Sequence, residues 1–409
     1  YIMSDIKYIN GGVCSAKGFK AAGTVAGFRK NKTKKDLCLI VSDCMCSAAA
    51  VYTTNKVKGA PIAVTKAHIA DGKAQAVICN SGNANTCAPG GVEVAEETCR
   101  LAAKALGMKP EDIAVCSTGV IGEKLKLEPF ENGIPVLAQA LSYEGSDDAA
   151  AAIMTTDTIP KSVAVEFTID GKKCTIGGIA KGSGMINPNM ATMLSFITSD
   201  VNISPAMLQK ALSSDIKTSF NQICVDGDTS TNDTVIIMAN AMAQNSPIES
   251  EGEAFDIFCE ALSKVTVYLS KKMARDGEGA TKLIECNVTG ASDEYTAQKI
   301  SKSVISSDLF KAAMFGADAN WGRVLCAIGY TEGDFAVDNI DVTMSSAKGS
   351  VTVCKASEAA EYSEDKATEI LSEEELVIDI NMNQGEAAAS AWGCDLTYDY
   401  VKINGSYRS

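Results

Sequence analysis

The sequence has 409 residues, 46% hydrophobic and 22% charged, which is enough apolar material for a large core and too much for a disordered polymer. Acidic residues outnumber basic ones 51 to 37, and the net charge of −14 opposes binding to a phosphate backbone, so nucleic acid is not an expected partner. No charge-free apolar stretch reaches the ~20 residues of a bilayer span, and the start lacks the pattern of a signal peptide, so a soluble, unexported protein of two or three folding units is expected, with no membrane partner.

Short apolar runs bounded by Gly, Asn and Asp predict strands over 37–42, 75–79, 113–116, 163–169, 174–180, 193–199, 234–238, 282–288 and 377–381. Asp170-Gly171 between two of them predicts a type I′ hairpin turn. Apolar residues at three- and four-residue spacing predict helices over 92–106, closed by Gly107, and over 128–141, 204–219, 254–273 and 363–371. A further helix-like run covers 146–154. The alternation indicates an α/β fold of α+β layers with more than one sheet.

Fifteen scattered cysteines with no C-x-x-C pair do not describe a disulfide scaffold, and a reducing compartment fits them best. The one histidine, His68, lies in a stretch without a nucleophile motif, so it reads as structural. Histidine-based metal sites and imidazole-based catalytic triads are thereby disfavoured, and no metal is expected.

Four stretches are small and polar where a core would prefer bulk: 80–85, 117–122, 181–194 and 276–282. Loops at the ends of elements, where glycine lets backbone approach a ligand, are where binding groups usually lie. In the third stretch Gly182-Ser183-Gly184 lacks the full dinucleotide spacing, and no P-loop motif occurs anywhere. What remains is Lys181, a glycine-containing loop, and Thr192 ahead of a strand. Thr192 reads either as a β-branched residue opening that strand or as a nucleophile. If the Ala191–Thr192 bond is cut, the new α-amine supplies a base beside its own hydroxyl, with a pKa of about 7.7–8.0. Acyl transfer also needs donors for an oxyanion, and Ser117-Thr118-Gly119 offers a hydroxyl and backbone N–H groups, as would any strand-ending turn. The run from Met154 to Thr158 reads as a capping cluster or as hydroxyls around a small polar ligand.

The stretch Lys181-Gly182-Ser183-Gly184-Met185-Ile186, continued by Pro188-Asn189-Met190-Ala191-Thr192-Met193-Leu194, resembles the self-cleavage site of the ornithine acetyltransferases, the glutamate N-acetyltransferases of arginine biosynthesis. The resemblance spans essentially the whole chain, through Gly11-Gly12-Val13, the 80–85 and 117–122 stretches, Met154–Thr158, the 317–323 segment and Tyr400-Val401-Lys402-Ile403-Asn404. It implies a sandwich of sheets and helices like that of the N-terminal-nucleophile hydrolases, with a second, smaller C-terminal lobe. A precursor would cut itself into an α chain, 1–191, and a β chain, 192–409, although the cut need not be a domain boundary. Two of each chain would form a heterotetramer in the cytoplasm.

The resemblance also implies roles for individual residues. Thr192 would be the nucleophile, with Thr118 and Gly119 as the oxyanion hole. Thr155, Lys181, Thr192, Glu278, Asn404 and Ser409 would hold the substrate. Acetyl would pass from N2-acetylornithine to glutamate by way of an acetyl-threonine, with no cofactor and with acetyl-CoA as an additional donor in some members. Glu278 suits the ornithine ammonium and opposes the glutamate side chain. An amidase or aminopeptidase on the same fold is the competing expectation.

Splitting the charge at Thr192 gives 21 basic and 18 acidic residues before it, which leaves 16 and 33 of the totals after it. The two segments therefore differ by twenty charge units, which reads either as chance plus the acidic surface run around Glu358–Glu375 or as complementary association of the segments.

Overall fold

A computed structural model describes residues 5–187 and 193–406. Two compact units emerge: Tyr1–Gly182 with Pro188–Lys217 and Thr229–Leu269, and a smaller one of Ser183–Asn187, Thr218–Asp228 and Ser270–Ser409.

The first unit is built on a nine-stranded sheet. Its strands are β1 (Lys7–Ile9), β2 (Phe19–Thr24), β3 (Leu37–Tyr52), β4 (Lys73–Asn83), β5 (Ile113–Val120), β6 (Lys161–Ile169), β7 (Lys172–Lys181), β8 (Leu194–Ser199) and β10 (Thr234–Ala239), with β9 (Ile223–Cys224) in the other sheet. The order is β1-β6-β7-β8-β10-β3-β4-β5, and β2 pairs with β3. Both β8 and β10 follow Thr192 in the chain, yet they lie between β7 and β3, which precede it. The segments before and after Thr192 thus share one hydrogen-bonded ladder, with Lys181 opposite Leu194 and Thr234 beside Leu194.

Alternation along β3 explains why both faces of this sheet are covered. Cys38 and Ile40 point into one core with Phe196, Ile236 and the alanines of α4 (Ser146–Ile153). Leu37, Leu39 and Val41 point into the other, with α2 (Gly91–Leu106) and α3 (Glu128–Ala140) supplying Cys99, Phe130 and Leu137. Each large side chain so buried is worth about 1.5–3 kcal/mol. The predicted hairpin is present: Asp170 and Gly171 both have positive φ, at 51° and 71°, between paired strands β6 and β7. Gly107 closes α2 in the left-handed conformation, as expected. The helix expected over 204–219 is shorter: α5 (Pro205–Asp215) starts from the Ser204 cap, and the chain then turns into a 3₁₀ segment, Phe220–Gln222, that leads into β9. Helix α1 (Ala60–His68) ends at the lone histidine, whose Nδ1 lies 2.8 Å from the Ile113 carbonyl oxygen, a structural contact.

The second unit carries the sheet β14-β13-β12-β15-β11-β16-β9. Its strands are β11 (Leu283–Ala291), β12 (Asp341–Ser346), β13 (Gly349–Lys355), β14 (Glu358–Ala359), β15 (Glu375–Asn381) and β16 (Ala387–Cys394). Helices α7 (Glu294–Ser306), α8 (Asp308–Phe315), α9 (Trp321–Gly329) and α10 (Glu364–Leu371) bury Ile300, Val304, Phe310, Met314, Val324 and Ile370 in its core. The long α6 (Glu253–Arg275) precedes β11, and α11 (Tyr398–Gly405) follows β16. The architecture is the expected α/β one, with two sheets and a smaller C-terminal lobe. All fifteen cysteines are free, and among the described residues no helix is long and apolar enough to cross a membrane.

Candidate active site

In the first unit the ends of β4, β5 and β7 come together. Asn80 pairs with Ser117 and Ser81 with Thr118, so the polar stretches 80–85 and 117–122 are neighbours in the sheet. The ladder is irregular there: Asn83 pairs with both Thr118 and Val120. Such a break frees main-chain groups from the sheet pattern. Gly119, with φ of 132°, belongs to this irregularity, and a Cβ on it would clash with the backbone of Gly82 and Asn83. Only glycine fits. Asn232 ties the region down, its Nδ2 donating to the Ser117 carbonyl oxygen at 2.9 Å.

Lys181, the last residue of β7, is 5% exposed, and its Nζ lies 3.5 Å from the Thr118 hydroxyl. Asp157 faces the same group of charges. Its Oδ1 accepts from Lys161 Nζ at 2.7 Å and from the Gly182 N–H at 2.7 Å, while Oδ2 accepts from the Thr155 N–H at 3.0 Å. Burial disfavours a charged Asp157, but the ammoniums of Lys181 and Lys161 and these hydrogen bonds outweigh it, and the carboxyl falls to about 2. Burial likewise pulls the Lys181 ammonium down, against the opposing pull of Asp157. The turn carrying Thr155 is anchored from both sides: the Ser81 hydroxyl donates to the Ala152 carbonyl at 2.6 Å, and the Arg29 guanidinium bonds both Ser81 and the Met154 carbonyl. Hence the Met154–Thr158 run is a charge-holding turn that positions Thr155 beside the strand ends.

In the second unit, the loop Ser183–Asn187 and the turn between α6 and β11 are mutually fastened. Ser183 Oγ donates to the Asp276 carbonyl at 2.7 Å, and the Glu278 N–H donates to the Ser183 carbonyl at 2.9 Å. Asp226 accepts the Met185 and Ile186 N–H groups at 2.6 and 2.8 Å, and Tyr400 donates to the same carboxylate at 3.2 Å. Glu278 is 7% exposed, and its Oε2 accepts from Asn404 Nδ2 at 2.7 Å. The predicted pair Glu278 and Asn404 is therefore in direct contact. A Cβ on Gly184 would fall inside the Glu278 carboxylate.

Thr118, Gly119, Thr155 and Lys181 thus gather within one unit, and Glu278 with Asn404 within the other. Ala191, Thr192 and Ser409 lie outside the described residues. Sequence reasoning passed over Lys161, Asp226 and Asp233 and read Asp157 only as part of a capping cluster. Asp157 and Lys161 stand four apart, a spacing that could have flagged the ion pair. Asp233 closes the polar run Ser230-Thr231-Asn232 ahead of an apolar strand, a weak signal.

A cavity of about 640 Å³ also opens at the N-termini of α1 and α2, lined by Lys58, Lys66 and Asn85 among others, and it holds none of the predicted site residues. Among the described residues no group of three or more His, Cys, Asp or Glu is placed to hold a metal ion.

Comparison with known proteins bears on what this arrangement does. A family model described as the ArgJ family matches residues 20–409. The arginine biosynthesis bifunctional protein ArgJ of Caldanaerobacter subterraneus subsp. tengcongensis is 49% identical over 405 residues, covering 99% of this chain and 100% of that protein. A solved chain of the corresponding Bacillus halodurans protein is 46% identical with a TM-score of 0.50, and all of it aligns with 53% of this chain. A solved chain of the Mycobacterium tuberculosis ornithine acetyltransferase, in complex with ornithine, is 34% identical over 46% of this chain and 100% of that one, with a TM-score of 0.42.

Proposed function

The chain belongs to the ArgJ family, and from that premise we propose that it transfers acetyl from N2-acetylornithine to glutamate through an acetyl ester on Thr192, which self-cleavage makes the N-terminal residue of a separate chain. It is an acetyltransferase of arginine biosynthesis, and the amidase alternative is not favoured. The observation that carries the mechanism is the convergence of Lys181, Thr118 and Gly119 at strand ends on the ladder that β8 enters two residues after Thr192.

Lys181 is placed to pair with the substrate α-carboxylate as a point charge. The Thr118 hydroxyl and the irregular backbone at Gly119 are the donors for the oxyanion. Asn404 holds Glu278, which receives the ornithine ammonium in the first half-reaction. The Thr192 hydroxyl attacks the acetyl carbonyl, its α-amine takes the proton and passes it to the leaving ornithine nitrogen, and the glutamate amine then attacks the ester. We assign Ser409 a role in substrate binding as well. No resident cofactor enters this scheme, and acetyl-CoA is proposed as a second donor, in keeping with the word bifunctional in the relatives' names.

Two features support the cleavage. The share of this chain that the Bacillus halodurans chain covers, 53%, equals that of residues 192–409, 218 of 409. The two products would stay joined, because β8 and β10 lie between strands of the first segment. We propose a heterotetramer of two α and two β chains in the cytoplasm, where fifteen free thiols are stable.

The scheme is tested by mixing the enzyme in excess with N2-acetylornithine alone. About one equivalent of ornithine should be released without glutamate, and mass spectrometry should find the fragment that begins at Thr192 heavier by one acetyl group. Ornithine release that waits for glutamate would exclude the ester. For the substrate pocket, Gly184→Ala should push the Glu278 carboxylate off Asn404. A hydrogen bond to a charged group is worth roughly 1.5–3 kcal/mol, so KM for N2-acetylornithine should rise about 10- to 100-fold and the melting temperature should fall by a few degrees. An unaltered KM would remove Glu278 from substrate binding.

A further inference from the structure

The α-amine that serves as base during acetyl transfer does not exist before the Ala191–Thr192 bond is cut, so maturation needs another proton acceptor. Asp233 is a buried group that the transfer scheme leaves unused. It is 4% exposed and immediately precedes β10, whose first residue, Thr234, lies beside Leu194 and donates its N–H to the Met193 carbonyl at 3.1 Å. The Met193 N–H and the Ser230 hydroxyl are directed at the Asp233 carboxyl, and among the described residues its Oδ2 has no hydrogen-bond partner. One residue step from Met193, about 3.8 Å between Cα atoms, leads to Thr192. On the far side of Leu194 stands Lys181 of β7, the charged group that acts on Asp233. Just past the end of β3 the neighbour is the neutral Thr53, whose N–H donates to the Asp233 backbone carbonyl at 3.0 Å.

We propose that Asp233 is the proton acceptor of self-cleavage, taking the Thr192 hydroxyl proton on its Oδ2. This rests on the reading that the chain cuts itself at Ala191–Thr192. The Thr192 Oγ then attacks the Ala191 carbonyl carbon, the C–N bond breaks, and Asp233 returns the proton to the departing Thr192 nitrogen, which becomes the α-amine. Water hydrolyses the resulting Ala191 ester, giving the Ala191 carboxylate and restoring the Thr192 hydroxyl. Burial suits Asp233 to the task, because it raises the carboxyl well above its ordinary value and so makes it a stronger proton acceptor than an exposed carboxylate.

The test is cell-free synthesis of the full chain, with cutting followed by denaturing electrophoresis across a pH series for wild type, Asp233→Asn and Asp233→Glu. Wild type should yield fragments beginning at Tyr1 and Thr192, and its rate should fall as acid protonates the carboxyl. Asp233→Asn should cut about 100-fold more slowly or not at all, without that acid limb. Asp233→Glu, which keeps a carboxyl one methylene longer, should regain part of the rate and should carry the test if the amide variant fails to fold by circular dichroism. Cutting of Asp233→Asn at the wild-type rate, or slow cutting that keeps the acid limb, would overturn the assignment. A wild-type chain that stays whole would overturn the cleavage reading itself.

Discussion

Replacing Thr192 with alanine is expected to leave one uncut chain of full length and to lower acetyl transfer by at least about 10³-fold, the scale seen when a covalent nucleophile is removed. Two losses are combined in this variant: the hydroxyl that attacks Ala191 and the hydroxyl that carries acetyl. Thr192→Ser separates them. Serine keeps an oxygen nucleophile and an α-amine, so cleavage and transfer should both continue at reduced rates. Denaturing electrophoresis and a glutamate acetylation assay read the two steps independently. An uncut Thr192→Ala chain with full transferase activity would remove the ester from the mechanism while leaving Thr192 as the cut site. A cut and active one would remove it from both.

Replacing Asp157 with asparagine should cost the most stability. Lys161 has no side-chain exposure in its pair with Asp157, and Lys181 is nearly as deeply buried, so loss of the carboxylate removes a negative charge that two buried cations share. Breaking one side of a buried ion pair costs roughly 3–5 kcal/mol, which in a unit of this size lowers the melting temperature by about 10 °C. The pH dependence has a definite sign. The folded-state carboxyl sits near 2, below its unfolded value, so its stabilisation is fully present above about pH 4 and is lost as pH falls toward 2. The gap between wild type and Asp157→Asn should be wide at pH 7. It should narrow in acid, as Asp157 takes up a proton. Coincident melting curves at pH 7 would show that the charges are satisfied in some other way.

Asp157 also shows where sequence reading stops. Met154–Thr158 reads as a capping cluster because local composition cannot reveal which distant cations meet a carboxylate. The partner four residues away is visible in the sequence, but Lys181, 24 residues on, becomes a neighbour only through the pairing of β6 with β7. Strands with one exposed face and small side chains, such as β13 and the alanine-rich β16, were missed for a related reason. Their apolar periodicity is weak, and they form because the sheet supplies hydrogen bonds and a core to cover.

By itself the sequence determined the α/β class, the Asp170-Gly171 hairpin and the Gly107 helix stop, because each depends on local conformational preference. It also set apart the four polar glycine-containing stretches and, through ordered motifs, the family. The tertiary structure decided which of these stretches meet: 80–85 lies against 117–122 with Lys181 nearby in one unit, and 183–187 lies against 276–282 in the other. It also decided that the segments before and after Thr192 contribute strands to one sheet, with β7 paired to β8. Register and strand order arise from long-range pairing and burial, which no window of neighbouring residues encodes.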